Sequence, residues 1–476
     1  MTALTFSTSR GRPLVVLMVS FCACLVALGL AGVTQEYAFD EPSTLKYALT
    51  VAGPLFLMLV ITAERPLLLV AAAIAVASPF AGFQATMSSY DIPLLWPLLL
   101  VAAVAIIFED ETQGGRTAMT LPGLLAVPLL LVPIADGLDT DDFVRTLGTL
   151  LAVAWVTYRA ASLRGGMTIM MGAVAMSALL QAVLALWEYK TGSRLHLYGG
   201  AGTAVFGGKY FYTFEDANRP VGSLYDPISL GNVLAISVPV LLVLALRARG
   251  AARLAVGGIG VLVALALAVS LSRMSWIGCF AGLVLAVALL PRSIRGQTML
   301  VGALGTVLIV VLALGLGGSS LRNRFLTLQD PTAKQSATAT GDNRRVAIWG
   351  AAIDVFQEHP VQGVGVGRLA NEIQKRVANV GTYTHAHSVY FQLLAEAGIL
   401  GLALLITFVI GVWTSVRQAL RRDRVLGAGM AGAALALMIC WTTDWVLVYA
   451  NVAASVAVVL GLIAAAGRTA IRRPAA

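Results

Sequence analysis

The residues best suited to chemistry in this chain are a few cations and imidazoles set at the edges of apolar runs. His385 and His387, two of only four histidines, open the stretch Thr384–Gly401, THAHSVYFQLLAEAGILG, which runs straight into a mostly apolar segment. An imidazole with an ordinary pKa of about 6.5 suits proton exchange with a hydroxyl. The competing reading is a pair of interfacial rings satisfied by backbone groups. Arg219 lies in NRPVGSLYDPISLGN, just ahead of an apolar run starting near Ile228. Arg273 lies in SLSRMSW, where two apolar runs meet with almost no loop between them. Arg344 and Arg345 lie in DNRRVAIWGAAIDVF, where Val346, Trp349, Ile353 and Phe356 recur at helical spacing.

Each arginine has a bland alternative. Arg219 beside Pro220 and Gly222 reads as a solvated turn, and Arg344/Arg345 as a solvated helix end. Arg273 can snorkel to outer headgroups. A guanidinium between two apolar runs otherwise needs an anion or a route to water. No acidic residue lies within a helical turn of it, and its planar fork matches phosphate oxygens. A bound external anion is the sharper reading.

The elements that must position these groups are membrane helices. Of 476 residues, 58% are hydrophobic and 12% charged, against about 25% charged in a soluble domain; the mean hydropathy is +0.84. The expected fold is all-α, a polytopic integral membrane helical bundle of about 12–14 transmembrane helices. The apolar runs begin near 14–33 and close with about 388–413, 425–443 and 446–466. Arg10 and Arg12 precede the first run with no convincing cleavage site, so it reads as a retained helix. All four cysteines fall inside apolar runs, as small buried hydrophobes with no metal or disulfide spacing.

Threading the runs with the N-terminus inside leaves eighteen arginines on that side, from Arg10 and Arg12 to Arg472 and Arg473. Short outer loops hold three basic residues, Lys46, Arg145 and Arg273. That asymmetry is a positive-inside signal, with both termini cytoplasmic and His387 on the outer face. The expected organisation is N-terminal helices over 1–187, central helices with the arginine segments over 188–318, an outer loop with short helices over 319–387, and C-terminal helices over 388–476. The Gly-rich run His359–Gly367 follows a helical pattern instead of a strand, which excludes a P-loop or Rossmann reading. No HExxH, Asp-x-Asp or Gly-x-Ser-x-Gly is present. No metal site, cofactor or nucleic-acid partner is expected.

His387-Ser388 followed by Gly398 and Gly401 resembles the signature of the O-antigen ligase family, which includes O-antigen polymerases and related lipid-linked glycan transferases. RPVGSLYDPISLGN, SLSRMSW and RRVAIWGAAIDVFQEHPVQGVGVG resemble further segments of that family, in order, over about 210–401. Asp226-Pro227-Ile228 departs from it where many relatives carry asparagine after the proline, and Ser388 where asparagine is common.

The resemblance implies a GT-C-like, inverting, metal-independent glycosyltransferase of the bacterial inner membrane with a periplasmic active site. It implies an undecaprenyl-diphosphate-linked glycan donor and a glycan or lipid A–core acceptor. By that likeness Arg219 and Arg273 bind the diphosphate and His387 is general base on the acceptor hydroxyl. Arg344, Arg345 and His385 position substrate. The alternative is a transporter or flippase of lipid-linked saccharide. Against it stand the lack of an internal repeat and of midplane charges.

Overall fold

The computed structural model describes residues 65–80, 84–87, 90–93, 98–103, 140–192, 213–214, 217–224, 226–326, 340–378, 385–444 and 450–468, with isolated positions between 63 and 106. The first apolar runs, those near 14–33 and 46–63, and the run near 119–135 lie outside the described residues. The described helices are α1 (Pro66–Ala77), α2 (Thr140–Ser162), α3 (Gly166–Thr191), α4 (Pro227–Arg247), α5 (Ala251–Val269) and α6 (Arg273–Leu289). They continue with α7 (Arg292–Leu326), α8 (Thr340–Glu358), α9 (Leu369–Arg376), α10 (Val389–Arg422), α11 (Arg424–Cys440) and α12 (Ala450–Ala466). Two short antiparallel hairpins complete the set, Gln84–Met87 with Tyr90–Pro93 and Thr213–Phe214 with Ala217–Asn218.

α3, α4, α5 and α10 are long and apolar enough to cross a membrane, and α6 and α11 are shorter apolar helices. Helices close their own backbone hydrogen bonds, the requirement for chain in lipid. The protein is an all-α polytopic membrane protein, as its composition requires.

Basic residues gather at one end of the bundle. There Arg247 pairs with Asp423, which also caps α11 by accepting Leu426 N–H at 3.0 Å. Arg253 donates to the carbonyls of Ala245 and Ala248, Arg424 to Leu289, and Arg295 to Leu290. These are final-turn carbonyls that the helices themselves leave unsatisfied, so each cation sits where the helix dipole favours it.

Small residues set the tightest packing. α6 runs along α11, and α2 along α12. A methyl on Gly282 would meet the Gly432 carbonyl at 2.5 Å, and one on Gly432 would meet that of Gly282 at 2.5 Å. In lipid, where apolar side chains gain little by leaving their solvent, such backbone approach is what holds helices together.

Two elements differ from their sequence pattern. α10 is broken at Gly398 (φ 58°, ψ −143°), and a methyl on Gly401 would meet the Leu393 carbonyl at 2.4 Å. The chain bends sharply into a short arm, Val389–Ala397, and a long arm, Ile399–Arg422. In α8 the apolar spacing of the sequence only partly matches the buried face: Val346 is 63% and Ile353 38% exposed and Trp349 and Phe356 are half-buried, while Ile348, Ala351, Ala352 and Val355 are buried. The small Ala351 and Ala352 let α8 approach α9 and α10 closely, so size, not apolarity, selects the inward face.

Candidate active site

At the end opposite the basic one, the loop Arg219–Asp226 is gripped from all sides. Glu188 of α3, fully buried, accepts the N–H groups of Val221 and Gly222, both at 2.8 Å. Gln181 bonds Ser223 twice, accepting its N–H at 2.9 Å and donating to its hydroxyl at 2.7 Å. That hydroxyl donates to the Pro79 carbonyl beyond α1, and Asn451 of α12 donates to the Ser223 carbonyl. Gly222 is required here (φ 60°), because a methyl would meet Gln181 Oε1 at 2.5 Å. Asp226 ends the loop as the N-cap of α4, its Oδ1 accepting from Ile228 and Ser229 and its Oδ2 from the Ser229 hydroxyl. Pro227 follows at the position where a missing N–H costs nothing.

This rigid loop carries Arg219 to the α5–α6 junction, where its Nε donates to the Ser270 carbonyl at 3.2 Å. Arg273 is the first residue of α6, three positions on. Between them Leu271 holds a left-handed φ of 55°, so α5 passes into α6 without a loop. Trp276 fastens the turn by donating to the Leu267 carbonyl at 2.8 Å. Ser272 makes no side-chain cap, so the first-turn N–H groups of α6 add to the positive character of the two arginines. A helix N-terminus with guanidinium groups beside it is suited to a phosphate.

The histidines arrive at the same end from α10. His385 and His387 have ring centroids 4.2 Å apart. His387 N–H donates to His385 Nδ1 at 3.1 Å. A backbone N–H can only donate, so Nδ1 is unprotonated, and the neutral ring of His385 carries its proton on Nε2. Trp349 of α8 donates to the Ala386 carbonyl at 2.9 Å and stacks on Phe391. Gln392 accepts Ala386 N–H at 2.8 Å, and Val389 N–H donates to the Trp441 carbonyl at the end of α11. His387 itself sits at φ 48°, uncommon for a residue with a Cβ; two non-glycine left-handed residues thus flank the site, where backbone strain is often stored.

Burial pushes both imidazoles down, His387 to about 3 and His385 to about 4. Desolvation is the main cause; Arg345 lowers both further, and Asp226 partly offsets the shift at His385. The same influences place Arg345 and Asp226 within electrostatic reach of His385. Arg344 lies in the first turns of α8, its side chain outside the description.

Residues that the sequence pattern did not single out tie these parts together. Asn232 of α4 donates to Asp444 at 2.6 Å and accepts from Ser275 of α6 at 2.8 Å. Ser275 shares a hydrogen bond with Ser272, next to Arg273. The starts of α4, α6 and α10 and the end of α11 are therefore one hydrogen-bonded unit. Asn232, Ser275 and Asp444 were visible as polar residues at the ends of apolar runs, the signal that could have found them. Ser388 Oγ is buried beside His387 with no hydrogen-bond partner among the described residues.

The Gly-rich run has a mechanical task. Val364 N–H donates to Ala395 O at 3.0 Å, Gly365 N–H to Glu396 O at 2.9 Å, and Gly367 N–H to Glu396 Oε1 at 2.9 Å. Ile399 N–H returns a bond to Pro360 O at 2.9 Å. The run clamps the break in α10 that presents the histidines.

Residues 258–406 match the family model of the O-antigen ligases. That stretch of the chain is similar to the O-antigen ligase domain. The ligase match includes Arg273, Arg345, His385 and His387, while Arg219 and Asp226 precede it. It supports a membrane glycosyltransferase of the O-antigen ligase or polymerase type. No curated protein matches the chain.

Proposed function

We propose that this protein transfers a glycan from undecaprenyl diphosphate to an acceptor hydroxyl on the periplasmic side, with inversion and without a metal. The reading is supported by two arginines at the uncapped start of α6 and a half-buried, neutral imidazole pair ahead of α10, on helix ends that one hydrogen-bonded unit joins. The acceptor oxygen attacks the anomeric carbon as the bond from that carbon to the diphosphate oxygen breaks. The bonding electrons leave with the diphosphate, where Arg219 and Arg273 stabilise the growing charge. The hydroxyl proton passes to His387.

A neutral ring is ready to accept that proton. The incoming diphosphate brings negative charge that raises the His387 pKa from its low resting value, strengthening the base only when donor is bound. His385, with Nε2–H as a fixed donor, orients a substrate oxygen, and Arg345 adds positive charge beside it. The acceptor is a growing glycan or lipid A–core.

The test uses the purified full chain in vesicles with a labelled lipid-diphosphate glycan. His387→Ala and Arg273→Ala are expected to abolish transfer, and the unsubstituted protein to retain it in chelator. Unchanged transfer in both variants refutes the mechanism, and loss in chelator refutes its metal independence. Sizing the product separates a single addition from a ladder, and so ligation from polymerisation.

A further inference from the structure

The turn between α8 and α9, Glu358–Gly363, belongs by sequence to a polar outer loop. Yet its Val361 is 65% exposed, beside Ile399 at 52% and Leu400 at 49% on the long arm of α10. The turn and the arm are joined by backbone: Pro360 O accepts from Ile399 N–H at 2.9 Å and Val361 O from Leu400 N–H at 3.5 Å. A methyl on Gly398 would meet either carbonyl at 2.6 Å, so no side chain separates them.

The long arm fixes the depth of this contact. From Ile399 to Arg417, its first arginine, eighteen steps of about 1.5 Å give about 27 Å, close to the hydrocarbon core of about 30 Å. With Arg417, Arg421 and Arg422 in the headgroups of one leaflet, Ile399 stands at the rim of the other. The arm's outward side chains below it, Leu402, Ile406, Ile410 and Trp413, are exposed and apolar throughout. Val361 extends that surface by one residue without a break. Around it His359 and Gln362 are exposed and polar, as suits a headgroup layer.

We infer that the Glu358–Gly363 turn is a membrane-contacting element, with Val361 seated among the acyl chains at the rim of the outer leaflet. The occupant is the bilayer itself, because the patch is continuous with a helix face that lipid already covers. Through the clamp on Glu396 and Gly398, this places lipid contact one short helix arm from His387. The inference stands on helix length and exposure, and does not depend on the glycan-transfer reading.

The experiment places a bimane label on Val361→Cys, with Cys22 and Cys24 replaced by serine, in the full chain in nanodiscs. Cys279 and Cys440 are buried and stay in place. Phosphatidylcholine brominated near the top of its acyl chains is expected to quench about half of the emission, with aqueous iodide far less effective, as for a group sunk about 5–10 Å below the headgroups. Strong iodide quenching without lipid quenching overturns the inference. So does an inter-chain disulfide through the unlabelled Val361→Cys, which assigns the patch to a second copy. Because the readout is optical, an inactive sample with normal lipid quenching sinks the proposed chemistry and leaves this inference intact.

Discussion

Gly363→Ala is the sharpest perturbation the structure offers. Gly363 has φ 66°, and a methyl there would lie 2.2 Å from the Glu396 carbonyl carbon and 2.5 Å from Ala397 N. The left-handed backbone alone costs a residue with a Cβ about 1–2 kcal/mol. The clash is with backbone, which cannot rotate aside, so the turn must lift from α10. Lifting breaks the bonds of Val364, Gly365 and Gly367 to Ala395 and Glu396, each worth about 0.5–1.5 kcal/mol. The sum is about 3–6 kcal/mol of local stability, or at least about a hundredfold in the opening equilibrium. Gly350→Ala is the control: its methyl meets nothing within 4 Å, and it sits inside α8, so it is neutral or stabilising by up to about 1 kcal/mol. Amide hydrogen exchange in nanodiscs, followed over residues 364–367 and 395–400, reads the difference. Protection in Gly363→Ala within threefold of the unsubstituted protein would refute the clamp.

Further outcomes follow from the same geometry. Because the folded imidazoles titrate near 3 and 4, below the ordinary value of about 6.5, kcat/KM stays level as pH falls from 8 to about 5; a midpoint at 6.5 would contradict their burial. In stability the sign is the same: unfolded chains take up protons below about 6.5 while the folded rings do not. The fold therefore weakens as pH drops from there toward 3, visible in denaturation midpoints. Trp349→Phe keeps the stacking on Phe391 but loses the bond to the Ala386 carbonyl, a local cost of about 0.5–1.5 kcal/mol; kcat falls more than KM rises if the tryptophan places the histidines. Glu188→Ala removes the acceptor of two backbone N–H groups and costs about 1–3 kcal/mol for each buried group left unsatisfied, read as a lower unfolding temperature.

Much of the fold was legible because lipid leaves few options. Long apolar runs with arginines at alternate ends specify helices and their direction, and the described helices follow that pattern. Arg273 was legible for a related reason: a cation between two spans with no loop had to stand at a helix end, and it opens α6. Other features depend on partners far away in sequence. Arg219 meets Ser270 across 51 positions and Asn232 meets Asp444 across 212, distances over which side-chain type carries no pairing information. The bend at Gly398 was hidden because apolar composition continues through it, and only the facing turn shows why a glycine is needed. The inward face of α8 could not be read from apolarity alone, because alanine reads as a weak hydrophobe, although its small size is what allows close packing.

The glycine contact between α6 and α11 bears on how this molecule can move. With Gly282 and Gly432 backbone to backbone, one helix has no sliding layer of side chains against the other. Proteins that ferry cargo by alternating access need two halves that tilt against each other. Here the helix that starts with Arg273 and the one that ends beside Asp444 are held as one body, so any such tilt would have to run along other helix contacts. In the proposed reaction, the Arg273 end of this helix pair would then offer the donor a seat that stays still.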